Sequence, residues 1–323
     1  MKATVRARAN IALIKYWGKA DVALNVPAVG SLSITLDSLW SETEVGFDTG
    51  LSSDMFSLNG QVRQERNGRV TECLNLLRSH AGVESFAKVV SRNNFPTSAG
   101  LASSASGFAA LTAAAAHALD LDLTPRDLSI IARQGSGSAA RSIFGGFVEM
   151  HVGSMADGSD SFAEPLLEAD AWPLEVVIAI TERGEKTVSS RAGMEQSAAS
   201  SPYYSDWVAS SAHDLACAQQ AVLNKDFETL ARVAEHNCLK MHAAAMAAQP
   251  PLIYWNAATV ASLHAVRALR ASGVAVFFTI DAGPQLKAVC APGASGHVEA
   301  VLRAVPGVLD TLVSGLGPGV EAV

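Results

Sequence analysis

The chain has 323 residues, enough for two domains of roughly 150 residues each and therefore for a cleft between two lobes. Apolar residues make up 49% and charged residues 17%, which is typical of a well-packed globular protein, and the longest strongly apolar run, 273–280, is too short for a membrane span. No secretory signal is recognised, so we expect a cytoplasmic protein. The net charge of −7 argues against a nucleic-acid partner, because such proteins usually present a basic surface.

The cysteines are widely spaced, which argues against a disulfide framework or a zinc knuckle. We expect four buried free thiols at Cys73, Cys217, Cys238 and Cys290. His236, Cys238 and His242 fall on one predicted helix, but the spacing of the two histidines does not put them on one face. No metal site is predicted there.

The first half of the chain shows both strand and helix patterns. Alternating apolar and polar residues predict strands between Val5 and Phe47, and Asn59-Gly60 predicts a tight hairpin turn. Helices are predicted over 70–80 and 103–119, and the second contains enough alanine to pack closely on a sheet. Thr124-Pro125 begins another helix, since threonine caps it and proline suits its first turn.

The second half is richer in helix. A run of β-branched residues from Leu174 to Thr181 predicts a buried strand, and the polar stretch after it predicts a boundary that separates domains 1–182 and 183–323. The elements predicted beyond it are helices over 207–223, 227–246 and 255–271 and a strand over 274–280. The mixed order indicates an α+β fold, not a doubly wound sheet.

Small residues between Pro96 and Gly107 lead into the alanine-rich helix. Such a loop can bind phosphate, because backbone N–H groups and the positive end of the helix dipole face the anion, although an ordinary serine-capped helix fits the same pattern. The order Pro-x-x-x-Gly-Leu-x-Ser-Ser-Ala resembles the ATP-phosphate loop of the GHMP kinase superfamily. The resemblance implies ATP contacts from Ser98, Gly100, Leu101, Ala102, Ser103 and Ser104, with Asn93 and Asn94 as candidates for adenine.

Lys15 and Lys19 lie four residues apart around an aromatic pair. They could hold an anion or be ordinary solvated lysines. The segment from Asn10 to Lys19, Asn-Ile-Ala-x-x-Lys-Tyr-Trp-Gly-Lys, resembles the N-terminal signature of the diphosphomevalonate decarboxylases, a branch of the GHMP superfamily.

Arg141 lies among glycines and serines in the segment 132–146. A guanidinium group matches a carboxylate with two parallel hydrogen bonds, although a Gly/Ser turn with a solvent-facing arginine is an equally good interpretation of this block alone. The block is similar to the decarboxylase segment whose arginine binds the substrate carboxylate. Arg141 is therefore the predicted carboxylate ligand.

The segment 185–194 places hydroxyl groups and Arg191 just before a helix. It can bind a diphosphate, cap the helix through Ser189 or Ser190, or do both. In the family that it resembles, the matching Ser-Arg pair binds the 5-diphosphate together with a tyrosine and a lysine, which implies this role for Ser190, Arg191, Tyr16 and Lys19.

Asp281 ends an apolar strand and begins the turn Asp-Ala-Gly-Pro, which by itself is often only a turn. The order Thr-x-Asp-Ala-Gly-Pro with a lysine three residues later is similar to the decarboxylases, whose matching aspartate is catalytic. The resemblance thus implies catalytic roles for Asp281, Arg141, Ser104 and Lys15. It implies substrate contacts from Asn10, Tyr16, Lys19, Ser136, Gly137, Ser138, Arg141, Ser190, Arg191 and Ala282.

As a whole, the resemblance implies a two-lobed GHMP kinase fold, with an N-terminal lobe like domain 2 of ribosomal protein S5, a C-terminal α/β sandwich and a central cleft. The implied activity is ATP-dependent decarboxylation of (R)-5-diphosphomevalonate to isopentenyl diphosphate by a homodimer, with Mg²⁺ arriving on ATP and no protein ligand identified for it. Three alternatives are a decarboxylase of mevalonate 5-phosphate, a mevalonate 3-kinase without decarboxylation, and a non-enzymatic ligand-binding regulator.

Overall fold

The computed structural model describes residues 2–63, 68–95, 103–184 and 186–323. Its strands are β1 (Lys2–Ile14), β2 (Lys19–Asp21), β3 (Val26–Pro27), β4 (Ser31–Asp48), β5 (Met55–Leu58), β6 (Gln61–Val62), β7 (Phe86–Asn93), β8 (Phe147–Met150), β9 (Ala163–Leu167), β10 (Glu175–Ile180), β11 (Val276–Ile280), β12 (Leu286–Cys290), β13 (Asp310–Gly315) and β14 (Glu321–Ala322). Its helices are α1 (Arg69–Ala81), α2 (Ser103–Ala118), α3 (Pro125–Gly135), α4 (Ser190–Ser200), α5 (Tyr204–Leu223), α6 (Phe227–Met246), α7 (Ala257–Ala271) and α8 (Ser295–Arg303), with a short 3₁₀ helix η1 (Ala139–Ile143).

The larger sheet has the order β14-β1-β4-β7-β5-β6, and β8 and β9 extend it from β4. β4 confirms the predicted strand, but every residue from Ser31 to Leu36 is buried, and alternating burial is found instead from Ser41 to Phe47. The hairpin prediction is also confirmed: Leu58 pairs with Gln61, and Asn59 and Gly60 have φ angles of 51° and 78°.

Helix α2 packs closely on this sheet because its inner face consists of small residues. Ala109 and Ala113 are among its fully buried alanines, and no long side chain holds the helix away from β1 and β4. Helix α3 begins with the predicted cap: Thr124 Oγ1 accepts a hydrogen bond from Asp127 N at 3.2 Å, and Asp127 Oδ2 accepts one from Thr124 N at 3.0 Å.

The smaller sheet is antiparallel, with the order β11-β12-β10-β13. The predicted boundary between 182 and 183 assigns β10 to the N-terminal domain. In the structure β10 belongs to the smaller sheet, where it pairs with β12 and β13. A core common to both sheets contains Leu13 and Ile34 from the larger one and Ile178 and Phe277 from the smaller one. The ends of β1 and β11 therefore meet between the lobes.

The helices of the second half match their predictions within a few residues, and α6 covers the predicted range. Cys73, Cys238 and Cys290 are buried free thiols, but Cys217 on α5 is only half-buried, so that part of the cysteine prediction was wrong. Helix α5 turns this residue toward the edge of the core, where solvent still reaches it. Among the described residues, no helix combines the length and apolar character that crossing a membrane requires.

Candidate active site

A cleft of about 520 Å³ lies where β1, η1, α4 and the end of β11 come together. Six lysine and arginine side chains from the described parts of the chain line it, against a single carboxylate, that of Asp281. The predicted site residues on its wall are Asn10, Lys15, Tyr16, Lys19, Ser103, Ser104, Ser136, Gly137, Ser138, Arg141, Ser190, Arg191, Asp281 and Ala282. The cleft is thus suited to a small polyanion, although the whole chain is acidic.

At the base of the cleft, two lysines hold one aspartate. Lys15, directly after β1, places Nζ 2.7 Å from Asp281 Oδ1, and Lys287 on β12 places Nζ 3.0 Å from Asp281 Oδ2. Both lysine side chains are buried, whereas the Asp281 side chain is 27% exposed, toward the cleft. Lys15 Nζ also donates to the carbonyl of Ala12 at 2.8 Å, which fixes the direction of its side chain.

The charge state of Asp281 follows from these contacts. Burial raises the pKa of its carboxyl group, but the ammonium groups of Lys15 and Lys287 outweigh burial and hold the pKa well below its usual range. Asp281 is therefore an anion at physiological pH. An acid this strong has a weakly basic carboxylate, so the group is better suited to accept and orient a hydrogen bond than to remove a proton.

Arg141 on η1 is completely buried and faces the cleft. Its Nε and one terminal nitrogen donate to Asn10 Oδ1 at 3.4 and 3.2 Å, and the other terminal nitrogen donates to Ser31 Oγ at 2.6 Å. Burial lowers the pKa of Arg141 to about 10, so the guanidinium stays charged. Among the described residues, no carboxylate pairs with it, and its remaining N–H groups are available to a ligand.

Tyr16 packs against the backbone at Gly137. A Cβ at residue 137 would lie 2.7 Å from Tyr16 Cζ, so glycine is needed for this close approach. Burial raises the pKa of Tyr16 to about 12, and its buried hydroxyl has no partner within the described residues. A neutral phenol that lines an anion site and lacks a partner can donate its hydrogen bond to the anion.

The mouth of the cleft holds Lys19 and Arg191. Lys19 Nζ donates to Asn25 Oδ1 at 2.5 Å, and burial followed by the charge of Arg191 lowers the pKa of Lys19 to about 8. Arg191 Nε lies 3.3 Å from Glu195 in an exposed pair, which binds the guanidinium weakly and leaves it free to turn toward a ligand.

Ser189, not Ser190, caps helix α4: its Oγ accepts from Ala192 N at 3.2 Å. Ser190 is thereby left for the cleft, where it accepts a hydrogen bond from Lys186 Nζ at 2.7 Å. Lys186 Nζ also donates to the carbonyl of Ala282 at 2.8 Å, so it links α4 to the Asp281 turn. Burial, followed by the charge of Lys287, lowers the pKa of Lys186 to about 8.

A second pocket of about 300 Å³ adjoins the first and is lined mainly by apolar side chains, among them Phe56, Val89 and Leu111. Asn93 lies on its wall, but both ends of the Asn94 amide are used by the backbone of Ser38 and Trp40. The two pockets meet at the start of α2. The residues on both walls are Arg69, Ser103 and Ser104.

Four of the predicted ATP ligands, Ser98, Gly100, Leu101 and Ala102, lie outside the described residues. Among the described residues, the N-terminus of α2 lies between the polar, cationic cleft and the apolar pocket. A base in the apolar pocket would direct a polyphosphate past the helix N-terminus into the cleft.

Sequence reasoning gave no site role to Lys186, Lys287 and Met194, although all three contact or line the site and Lys287 is the lysine that follows the Asp-Ala-Gly-Pro turn in the family-like motif. Lys287 carried a usable signal: a lysine in the middle of the apolar strand Leu286–Cys290 must find an anion to be buried there. Lys186 and Met194 had no such signal, because only the packing of α4 against the cleft brings them in.

The fold and this pair of pockets define a GHMP-type enzyme that binds a nucleotide beside a small polyanion. Two family models match the chain: the diphosphomevalonate decarboxylase-like N-terminal domain over residues 7–163 and the mevalonate 5-diphosphate decarboxylase C-terminal domain over residues 176–308.

Named relatives agree with these models. The diphosphomevalonate decarboxylase of Gibberella zeae is 38% identical over 302 residues, which cover 88% of this chain and 79% of the relative. The solved structure of the mevalonate diphosphate decarboxylase of Staphylococcus aureus matches with a TM-score of 0.93 and 37% identity. The match covers 100% of this chain and 98% of the Staphylococcus aureus chain. A solved complex described as MDDEF with MVAPP, AMPPCP and magnesium has a TM-score of 0.92 and 41% identity. The match covers 100% of this chain and 99% of the chain in that complex. The chain belongs to the diphosphomevalonate decarboxylase family.

Proposed function

We propose that this chain catalyses the ATP-dependent decarboxylation of (R)-5-diphosphomevalonate to isopentenyl diphosphate, with release of ADP, phosphate and CO₂. Family membership supports the reaction class, and the solved complex with MVAPP and AMPPCP supports the ligand pair. The observation that carries the proposal is the Arg141 guanidinium, buried, charged and without a carboxylate partner among the described residues, on the same cleft wall as Asp281. A buried cation of this kind calls for an anionic ligand.

The substrate carboxylate binds Arg141 in this proposal. The planar guanidinium donates two parallel hydrogen bonds to the carboxylate, while Asn10 and Ser31 hold the guanidinium from behind. The carboxylate is thereby fixed in direction until it leaves as CO₂.

Asp281 orients the C3 hydroxyl. Its two oxygens are held by Lys15 and Lys287, and its exposed edge faces the cleft, where it can accept the hydroxyl hydrogen bond. An aspartate beside the hydroxyl could act as a general base or as an orienting group, and the low pKa of Asp281 favours the orienting role.

The order of events follows from leaving-group chemistry. A tertiary hydroxyl is a poor leaving group, so ATP first phosphorylates its oxygen: the bond between the terminal phosphorus and ADP breaks, and the hydroxyl proton passes to an oxygen of the transferred phosphoryl group. The C3–O bond then breaks with release of phosphate, and the electrons of the carboxylate C–C bond form the alkene as CO₂ departs. Lys15, Lys186 and Ser104 surround the space in which the phosphoryl group moves, and they stabilise its charge.

The 5-diphosphate lies toward the mouth of the cleft, bound by Lys19, Arg191, Ser190 and the Tyr16 hydroxyl. Ser136 and Ser138 add hydroxyl donors. Two cations, rather than one, at this end favour a diphosphate over a monophosphate.

ATP places its base in the apolar pocket beside Asn93 and its phosphates at Ser103 and Ser104. Mg²⁺ enters with these phosphates, since the described residues contain no cluster of three or more side chains able to hold a metal and both oxygens of Asp281 are occupied by lysines. Bound Mg²⁺ neutralises phosphate charge and orients the phosphates. The homodimer and the cytoplasmic location stay predictions.

Purified protein with ATP and Mg²⁺ is incubated separately with mevalonate, its 5-phosphate and its 5-diphosphate, and ADP and CO₂ are measured independently. We expect equal amounts of ADP and CO₂ with the 5-diphosphate alone. Release of CO₂ from the 5-phosphate alone would overturn the proposed substrate. ADP without CO₂ would indicate a 3-kinase, and the absence of both products would indicate a ligand-binding protein without catalytic activity. Asp281→Asn protein, prepared in parallel, controls for a contaminating host enzyme.

A further inference from the structure

Lys287 occupies an unusual position for a lysine. It lies in the middle of β12, pairs with Thr279 on β11 and Ile178 on β10, and its side chain is 1% exposed. Because strand residues alternate between faces, it shares its face with Val289, which belongs to the apolar core between the sheets. An aliphatic residue would satisfy this position if packing were its only task.

Neutralisation of Asp281 does not require Lys287. Lys15 already pairs with Asp281 Oδ1 at 2.7 Å, and one lysine balances one carboxylate. Lys287 adds a second cation on Oδ2 at 3.0 Å. Burying a lysine side chain in the middle of a strand is costly, so its presence there indicates a function other than packing.

We propose that Lys287 is a positioning residue for the reaction: it fixes the second oxygen of Asp281 and keeps this carboxylate ionised and aimed into the cleft. With Oδ1 held by Lys15 alone, the carboxylate could rotate about that contact. With both oxygens held, the lone pairs that remain point toward the 27% of the side chain that is exposed. The inference rests on the proposed function, because it requires that Asp281 orient the substrate hydroxyl.

The charged and titratable groups around Asp281 come from five elements. They are Lys15 after β1, Lys287 on β12, Lys186 before α4, Arg141 on η1, and Cys238 and His242 on α6.

Four of these groups, His242, Cys238, Lys186 and Arg141, keep their charge states in mildly acidic solution. Burial lowers the pKa of His242 to about 3, raises that of Cys238, and leaves Lys186 and Arg141 with pKa values of about 8 and about 10. Removal of Lys287 withdraws a cation and raises the pKa of Asp281, so activity would then fall as the pH drops through the new value. Asp281 is therefore the group whose titration a Lys287 variant would reveal.

The test compares Lys287→Met, Lys287→Gln and Lys287→Arg by their pH profiles of kcat and kcat/KM, at pH values where circular dichroism shows each variant folded. For Met and Gln we expect kcat to fall at least about tenfold and the acid limb to move up by at least about one pH unit, the lower end of the effect of a nearby charge. Lys287→Arg keeps the charge and should retain the wild-type limb. Arg78→Met is the matched control, since Arg78 on α1 forms a buried ion pair with Asp54 that lies outside the cleft.

A double-mutant cycle separates the two proposals. If Lys287 acts through Asp281, Lys287→Met should cause little further loss in an Asp281→Asn background. Retained activity in Asp281→Asn alone would overturn the orienting role of Asp281, and with it the proposed function of that residue. If Asp281→Asn loses activity but Lys287→Met and Lys287→Gln keep the wild-type kcat and acid limb, the positioning role of Lys287 is overturned. The proposed role of Asp281 then stands. If neither neutral variant folds, a wild-type acid limb in Lys287→Arg supports the proposal and a shifted limb contradicts it.

Discussion

At the scale of single residues, the site depends on charges that are buried and held in a fixed direction. Arg141 receives two neutral partners, Asn10 and Ser31, and no carboxylate among the described residues. Neutral partners orient the guanidinium without cancelling its charge, so the cation remains available to the substrate.

Arg141→Lys tests this arrangement. A lysine ammonium is a point charge that cannot donate in a planar fork, so loss of two charge-assisted hydrogen bonds should lower kcat/KM by about a hundredfold or more. Steady-state kinetics with the 5-diphosphate measure the change. The same substitution at exposed Arg303, which pairs with Glu299 and Thr311 away from the cleft, should leave kcat/KM at the wild-type value. Near-normal turnover of Arg141→Lys would remove Arg141 from the substrate site.

Lys19 should limit substrate binding by the free enzyme at alkaline pH. Its pKa is lowered to about 8 by burial and then by Arg191, so the ammonium loses its proton as the pH rises through this value and attraction for the diphosphate is lost. We expect the substrate KM, measured at saturating ATP, to rise above pH 8. Lys19→Arg keeps its charge to much higher pH, so its KM should stay flat over the same range. A KM that rises equally in both proteins would assign the limit to another group.

At the scale of elements, α6 aligns the two strand ends that carry the reactive pair. Asn237 Oδ1 accepts from the backbone N of Lys15 at 2.8 Å. On the same helix, Cys238 Sγ accepts from the Ile280 N–H at 3.2 Å, and His242 Nε2 donates to the Ile280 carbonyl at 3.1 Å. The residues before Asp281 and at Lys15 are thus held by one rigid helix, which explains how side chains 266 positions apart stay within hydrogen-bond distance.

Asn237→Leu should disturb this alignment. The change leaves Lys15 N without its acceptor and removes one donor, Asn237 Nδ2 at 2.7 Å, from the Asp214 carboxylate, which keeps its ion pair with Lys240. We expect the free energy of unfolding to fall by about 2 kcal/mol or more and kcat to fall with it, since each unsatisfied buried group costs about 1–3 kcal/mol. Denaturant unfolding and turnover are measured together. His236→Leu, an exposed change on the same helix, serves as the control, and equal behaviour of the two variants would contradict the alignment role.

At the scale of the whole molecule, the chain returns to its first sheet after it has completed the second. β14 pairs with β1, and the segment before it is bound to the η1 region: Val320 N donates to Ile143 O at 3.1 Å and Gly146 N donates to Gly317 O at 3.0 Å. The C-terminal segment therefore supports the short helix that carries Arg141.

Gly145→Ala examines this support. A Cβ at residue 145 would lie 2.7 Å from the carbonyl oxygen of Gly317, so either η1 or the C-terminal segment must move. Overpacking of this kind should lower the free energy of unfolding by about 1–3 kcal/mol and reduce kcat/KM through displacement of Arg141. Gly296→Ala is the matched control, because a Cβ there meets no atom within 4 Å. A Gly145→Ala protein with wild-type stability would contradict the close contact.

The sequence by itself determined the local elements and most of the side chains that line the cleft. Helix α3 could be predicted from Thr124-Pro125 and the β5–β6 hairpin from Asn59-Gly60, because caps and tight turns depend on residues close together in the chain. The family-like segments likewise contained Arg141, Lys15 and Asp281, all of which the structure places in one cleft.

Only the tertiary structure decided how these groups are partnered. In the structure Ser189 caps α4, so Ser190 faces the cleft. The Asn94 amide forms hydrogen bonds with the backbone and is not directed at a ligand. The tertiary structure also placed β10 in the smaller sheet and Lys287 against Asp281. These outcomes depend on contacts between sheets and helices far apart in sequence, where burial and electrostatics, rather than local propensity, determine the free energy.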